Sequence, residues 1–155
     1  MGAWAEPGMT DETVHDSPVG WVNRHIQRYV ESDGERGHLW GPGVPTLLLT
    51  TTGRRSGMQR RTALIYGRDG DAYVVVGSVG GSSKHPNWYL NLTAEPHVDL
   101  QVGADHFAAV ARTATGAERT RLWELMCGIH PTYKGFQKKT KRELPVVVLT
   151  PAPAE

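Results

Sequence analysis

The feature that most constrains the fold is a series of short apolar runs separated by tight-turn residues instead of helix-length connections. Arg61 to Tyr66 and Ala72 to Val76 flank Gly67-Arg68-Asp69-Gly70-Asp71, whose Asp-Gly step predicts a hairpin between them. Val98 to Val102 and His106 to Arg112 flank Gly103-Ala104-Asp105 as a second hairpin, and Val146 to Leu149 forms a last apolar strand after Pro145. Leu47-Leu48-Leu49 runs into Thr50-Thr51-Thr52 as a buried strand would. Helical signals fall between these runs. Pro86 opens a short helix through Trp88, Tyr89 and Leu92 that stops near Pro96, and helices follow over Gly116 to Gly128 and around Tyr133 to Thr140. Strands do not alternate with crossover helices. The order therefore predicts a mainly β, α+β domain: a closed or half-closed antiparallel β-barrel with helices across its openings, and not a Rossmann fold.

Upstream, Ser17 and Pro18 supply a cap and first turn for a helix in which Trp21, Val22, Ile26, Tyr29 and Val30 recur with helical period. Its polar face, with Arg24, His25, Gln27 and Arg28, fits an anionic membrane surface, but packing on the domain is the reading preferred, leaving at most peripheral membrane contact. Ser32-Asp33-Gly34-Glu35-Arg36-Gly37 ends the helix. Residues 1 to 16 are expected to form a mobile leader, residues 17 to 150 a single domain, and residues 151 to 155 a tail.

With 155 residues and 39% hydrophobic content, the chain can bury one core of ordinary size. Lys+Arg 17 against Asp+Glu 16 leaves a net charge of +1, so a nucleic-acid partner is not expected. The single cysteine, Cys127, excludes an intramolecular disulfide and fits a reducing cytosol. Its helical surroundings mark a buried structural thiol. No secretory signal or membrane span is read, so a soluble, cytoplasmic chain is expected. Oligomeric state is not legible.

Against this neutral background, Gly53-Arg54-Arg55-Ser56-Gly57-Met58-Gln59-Arg60-Arg61 crowds four arginines into one turn. Gly53 and Gly57 let backbone N–H groups turn toward a bound oxygen, and guanidinium forks match phosphate or carboxylate. Mutual repulsion of these charges favours a polyanionic ligand. An arginine-decorated, solvated hairpin tip explains the loop equally well.

A second constellation is the loop from Gly77-Ser78-Val79-Gly80-Gly81-Ser82-Ser83 through Lys84-His85-Pro86 into a helix start, with Trp88 beside it. Free N–H groups and hydroxyls there suit an anionic or polar planar ligand, whereas a plain connection with Trp88 in the core is the simpler reading. Both loops leave strands of one barrel, which places the expected site between them. Histidines 15, 25, 38, 85, 97, 106 and 130 show no paired metal-ligand spacing, so no metal is expected. No G-x-S-x-G elbow, Walker loop or G-x-G-x-x-G fingerprint is present. His85 stands equally as a capping or surface residue and as a general base. Without an evident nucleophile, base or metal, the chemistry points to a bound cofactor.

The runs Leu48-Leu49-Thr50-Thr51-Thr52-Gly53-Arg54-Arg55-Ser56-Gly57 with Arg60, Lys84-His85-Pro86-Asn87-Trp88-Tyr89-Leu90-Asn91-Leu92, and Arg142-Glu143-Leu144-Pro145-Val146-Val147 resemble the deazaflavin-dependent nitroreductase family, nitroreductase and quinone reductase type, from about Pro18 to Leu149. The resemblance implies a split β-barrel of the FMN-binding type. It also implies hydride transfer from reduced coenzyme F420, an 8-hydroxy-5-deazaflavin with a phospholactyl and polyglutamate tail, to a quinone, activated enone or nitroaromatic. Arg54, Arg55 and Arg60 would then hold the phosphate and tail carboxylates, with Thr52 and Gly53 approaching through the backbone. Ser78, Gly80, Trp88 and Asn91 would line the deazaflavin. Tyr133 and Phe136 would face the acceptor, with Tyr133 or Ser78 donating to its oxygen. Phe136 stands where the best-known member has a tyrosine, Arg55 where it has Lys, and Val79 where it has Lys. These departures leave nitroimidazole activation open. An FMN-binding oxidoreductase and a non-catalytic deazaflavin-binding protein are the competing readings.

Overall fold

The computed structural model describes residues 14–16, 20–34, 39–41, 44–78 and 83–153. In chain order the elements are β1 (Val14–Asp16), α1 (Gly20–Glu31), β2 (Leu39–Gly41), β3 (Val44–Thr52), β4 (Gln59–Ile65), β5 (Gly67–Asp69) and β6 (Ala72–Val76). They continue with α2 (Asn87–Ala94), β7 (His97–Val102), β8 (Asp105–Thr113), α3 (Gly116–Ile129), α4 (Thr132–Lys138) and β9 (Val146–Pro151). One sheet runs β1-β4-β3-β7-β8-β9-β6-β5, with β2 added on β3. All pairings are antiparallel except β1 on β4.

Strand alternation sorts the apolar residues onto the two faces. Leu47, Leu49, Tyr73, Val75, Leu100, Val147 and Leu149 form the barrel interior. Tyr66, just beyond β4, meets Tyr73 of β6 edge-on with ring centroids 5.4 Å apart, so the sheet curls round to bring distant strands together. The outcome is the split barrel with flanking helices that the sequence implied. On the outer face, Val74, Val76, Val146 and Val148 pack under α3 and α4 through Leu122, Met126 and Tyr133. Residues 146 to 149 are thus buried on both faces, which is why the sequence there is continuously apolar.

Helix α1 covers β3 and β4. Ile26 and Tyr29 are fully buried against Leu48, and burying Ile26 alone stabilises the docked position by about 1.5–3 kcal/mol. The Tyr29 hydroxyl donates to the Thr46 carbonyl at 3.0 Å and accepts from the Gly103 N–H at 2.6 Å. Burial pushes its pKa up to about 12. A Cβ on Gly34, which sits at φ +84°, would overlap the Gly103 backbone, so the end of α1 needs glycine there. Ile26 and Val30 pack on the barrel as expected. His25, assigned to the polar face, is instead buried, its Nε2 3.3 Å from Thr46 Oγ1. The side chains of Trp21 and Val22 lie outside the described residues.

Two further expectations change. Arg61 to Tyr66 and Ala72 to Val76 are not hairpin partners: β4 pairs with β3, and the short β5 pairs with β6 across Gly70-Asp71. The chain changes partner at Tyr66, whose N–H donates to Pro45 O, and at Gly67, where a Cβ would come within 2.8 Å of Met126 Sδ. At the ends, β1 lies inside the stretch expected as a leader, and β9 extends to Pro151, with Ala152 N–H still donating to Ala108 O.

Candidate active site

The ladder registers gather one rim of the barrel. Thr52 faces Gln59, Thr50 faces Asp99, Thr113 faces Val147 and Val76 faces Val146. The ends of β3, β6 and β8 therefore lie beside the starts of β4, β7 and β9, and both loops singled out in the sequence leave the same end of the barrel.

Loop 53–58 is closed on itself. Gly53 N–H donates to Met58 O and Gly57 N–H to Gly53 O, both at 2.8 Å. Gly57 takes φ +72°, and a Cβ on Gly53 would meet Ser56 Oγ at 2.7 Å. Arg54, Arg55 and Arg60 are exposed. Arg61 is not part of this cluster: opposite Thr50 on the α1 side, it is only 4% exposed, because strand alternation turns it away from its neighbour Arg60.

Arg54 joins the loop to α2. Its backbone N–H and Nη1 both donate to Asn91 Oδ1, at 3.1 and 2.9 Å, and Nη2 reaches Asn87 Oδ1 at 3.5 Å. Asn91 is buried and donates through Nδ2 to Thr51 Oγ1 at 3.3 Å. Thr52, half-buried, accepts from Gln59 Nε2 at 3.3 Å. Trp88 is half-buried against the barrel core, so it satisfies the packing reading while standing on the rim helix.

A second part of the rim, beside the start of α2, is organised by Arg142. Its Nη1 donates to Gly77 O at 3.0 Å and lies 3.1 Å from His85 Nδ1, while Nη2 donates to Ser78 O at 2.9 Å. His85 is half-buried and packs at a tilt of 52° against Tyr89, with ring centroids 4.9 Å apart. Burial and then the Arg142 charge hold its pKa below the ordinary histidine value. Gln137 of α4 secures the segment that carries Arg142, accepting from Leu144 N–H at 2.9 Å and donating to Arg142 O at 2.8 Å. Neither Arg142 nor Gln137 carries a role in the sequence reading. Arg142 appeared there only within a resembling run, and nothing local marks its partners.

Tyr133 and Phe136 sit on α4, on the outer face of β6 and β9. Tyr133 is buried, with His130 edge-on at 4.9 Å and Phe136 at 6.5 Å. Burial raises its hydroxyl pKa well above the ordinary tyrosine value, and burial lowers that of His130. Tyr133 is thus not on the face that carries Asn91: it is packed in the outer-face cluster with Leu122, Met126 and Leu144. Gly80 and Val79 lie outside the described residues. Cys127 is buried, and burial pushes its thiol up, as a structural role requires. Among the described residues no group of three or more His, Cys, Asp or Glu is placed to hold a metal, and no helix is long and apolar enough to cross a membrane.

The family model for F420H(2)-dependent quinone reductase matches residues 21–151. The chain belongs to that family. An F420H(2)-dependent quinone reductase of Mycobacterium tuberculosis is 37% identical over 142 residues, covering 84% of this chain and 95% of its own. A solved structure described as an F420-H2 dependent reductase shares 39% identity, covers 68% of this chain and 93% of its own, and superposes with a TM-score of 0.64. Another, described as a domain-swapped dimer, shares 36% identity over 86% of this chain and 99% of its own, with a TM-score of 0.67. Within the quinone reductase family the cofactor is coenzyme F420, and the donor set here suits it. Residues 53–61 combine exposed guanidinium groups with close-approach glycine backbone and contain no carboxylate.

Proposed function

We propose that this chain is an F420H2-dependent reductase passing a hydride to a quinone-type acceptor, with Arg54, Arg55 and Arg60 as its anion-holding edge. The observation that carries this reading is the Arg54–Asn91–Thr51 joint, which fixes the arginine loop against the helix that presents Trp88. Arg55 and Arg60 take the phosphate and tail carboxylates, and the unused donors of Arg54 join them. Thr52 and Gly53 approach the same group through the backbone. Ser78, Gly80, Trp88 and Asn91 line the deazaflavin.

Bound reduced F420 supplies the hydride. The chain's own residues bind, orient and exclude water. Ser78 and Tyr133, whose phenol is neutral at working pH as any tyrosine is, are the candidate donors to an acceptor oxygen, and Phe136 gives a flat apolar neighbour. One hydroxyl and one apolar ring suit a naphthoquinone-like acceptor better than a polar nitroimidazole. Loss of reduced-deazaflavin absorbance on adding a naphthoquinone tests the activity. Turnover that requires both components supports it; binding of the deazaflavin with no oxidation by any quinone makes the chain a carrier instead.

A further inference from the structure

We propose that Arg142 is a positioning residue of the site, whose planar fork sets the Gly77–Ser78 backbone against His85 and fixes His85 as the neutral Nε2–H tautomer. This rests on reading Ser78 and α2 as the wall of the cofactor site. It assigns no hydride step to either residue.

The geometry is specific. Nη1 of Arg142 is shared between Gly77 O at 3.0 Å and His85 Nδ1 at 3.1 Å, and Nη2 takes Ser78 O at 2.9 Å. A guanidinium has only donors. His85 Nδ1 must therefore be the acceptor, which leaves the ring proton on Nε2. A doubly protonated ring would turn an N–H toward a cation, so this arrangement disfavours the charged form. Of the described groups, those facing His85 are Arg142, from the segment after α4, and Tyr89 of α2, at a centroid separation of 4.9 Å. The direction of the His85 shift agrees with this geometry.

The two carbonyls immediately follow β6, where the chain leaves toward α2. Gly77 N–H already donates to Pro145 O at 2.9 Å, and a Cβ at Gly77 would meet Pro145 Cγ at 2.9 Å and Pro86 Cγ at 3.4 Å. The strand exit is thus squeezed between the segment carrying Arg142 and the start of α2. Arg142 satisfies the carbonyls on that squeezed path, and Gln137 holds the Arg142 backbone in turn. A lysine could supply the charge, but one ammonium cannot take these acceptors in a planar fork.

The test has two independent readouts on the full chain. Two-bond 15N NMR of the unmodified protein at pH 7 should show His85 protonated at Nε2 and bare at Nδ1; an Nδ1–H or doubly protonated ring overturns the proposal. Titration with oxidised F420 should show Arg142→Lys and Arg142→Gln weakened alike, by roughly tenfold or more, as expected for loss of hydrogen bonds from a charged donor. Native affinity in Arg142→Lys overturns the fork. His85→Asn keeps an acceptor near the Nδ1 position and should bind better than His85→Phe, which keeps only the ring; the reverse order contradicts the acceptor role. No F420 binding by the unmodified chain would contradict the functional reading instead, and the tautomer would then decide the arrangement by itself.

Discussion

Arg54 gives both its backbone N–H and its guanidinium to a single oxygen, Oδ1 of Asn91, at 3.1 and 2.9 Å. Asn91 is buried and also reaches Thr51, so one amide ties the end of β3, the arginine loop and α2 together. Asn91→Ala should cost about 1–3 kcal/mol of stability, because it leaves the buried Thr51 hydroxyl and the Arg54 backbone N–H without their amide partner, and should weaken F420 binding as well. Asn91→Asp keeps acceptors for Arg54 but adds a negative charge beside the anion edge. It should stay closer to native stability than Asn91→Ala while losing F420 affinity. Denaturant unfolding and F420 titration of both variants check this, and equal F420 affinity for Asn91→Asp and the native chain would contradict it.

Arg55 and Arg60 are exposed, so their removal should leave stability within about 0.5 kcal/mol of native, as for most surface changes. Arg55→Ala or Arg60→Ala should nonetheless weaken F420 binding by about 1.5–3 kcal/mol, the value of a hydrogen bond to a charged group. Added salt should shrink the difference by screening. Unchanged affinity in both variants would return the loop to a solvated hairpin tip.

The sequence carried the site's two loops but not what joins them. The β7–β8 hairpin follows from local alternation, the doubly buried run 146–149 from its continuous apolar residues, and loop 53–58 from its glycines and flanking apolar runs. The Asp69-Gly70 turn is also legible, yet the local pattern points to β4 as its incoming strand, because the ladder break at Tyr66 depends on Pro45 and Met126, both remote in sequence. Arg61 clusters in sequence with the loop cations, but strand alternation turns it to the buried face opposite Thr50. His25 turned inward for Thr46, a contact 21 residues away. Arg142 and His85, 57 residues apart, left no local trace of their pairing.

Tyr133→Phe keeps the buried ring and removes only the hydroxyl, so the fold should be retained. Quinone reduction should fall on the order of tenfold if that hydrogen bond strengthens in the transition state. Phe136→Tyr should raise nitroimidazole reduction relative to the native chain. Steady-state rates with matched naphthoquinone and nitroimidazole concentrations check both; a native chain that reduces the nitroimidazole faster contradicts the acceptor assignment.

Asp69 accepts from Arg121 at 2.9 and 3.1 Å, and this contact holds its carboxyl below the ordinary aspartate range. A carboxylate with a depressed folded pKa contributes stability that is present above its unfolded pKa and lost as pH falls through the folded one. Arg121→Gln should therefore narrow the stability difference between neutral pH and the acid region in which Asp69 takes up its proton. Thermal melts across that range read the effect directly. A steeper acid loss in Arg121→Gln than in the native chain would contradict the assignment.

The central claim is met most directly by parallel equilibrium titrations of the purified chain with oxidised coenzyme F420, FMN and NADPH. Saturable F420 binding that weakens as salt rises, with FMN and NADPH bound far less tightly, is the result predicted. Tight FMN binding with none to F420 would contradict it.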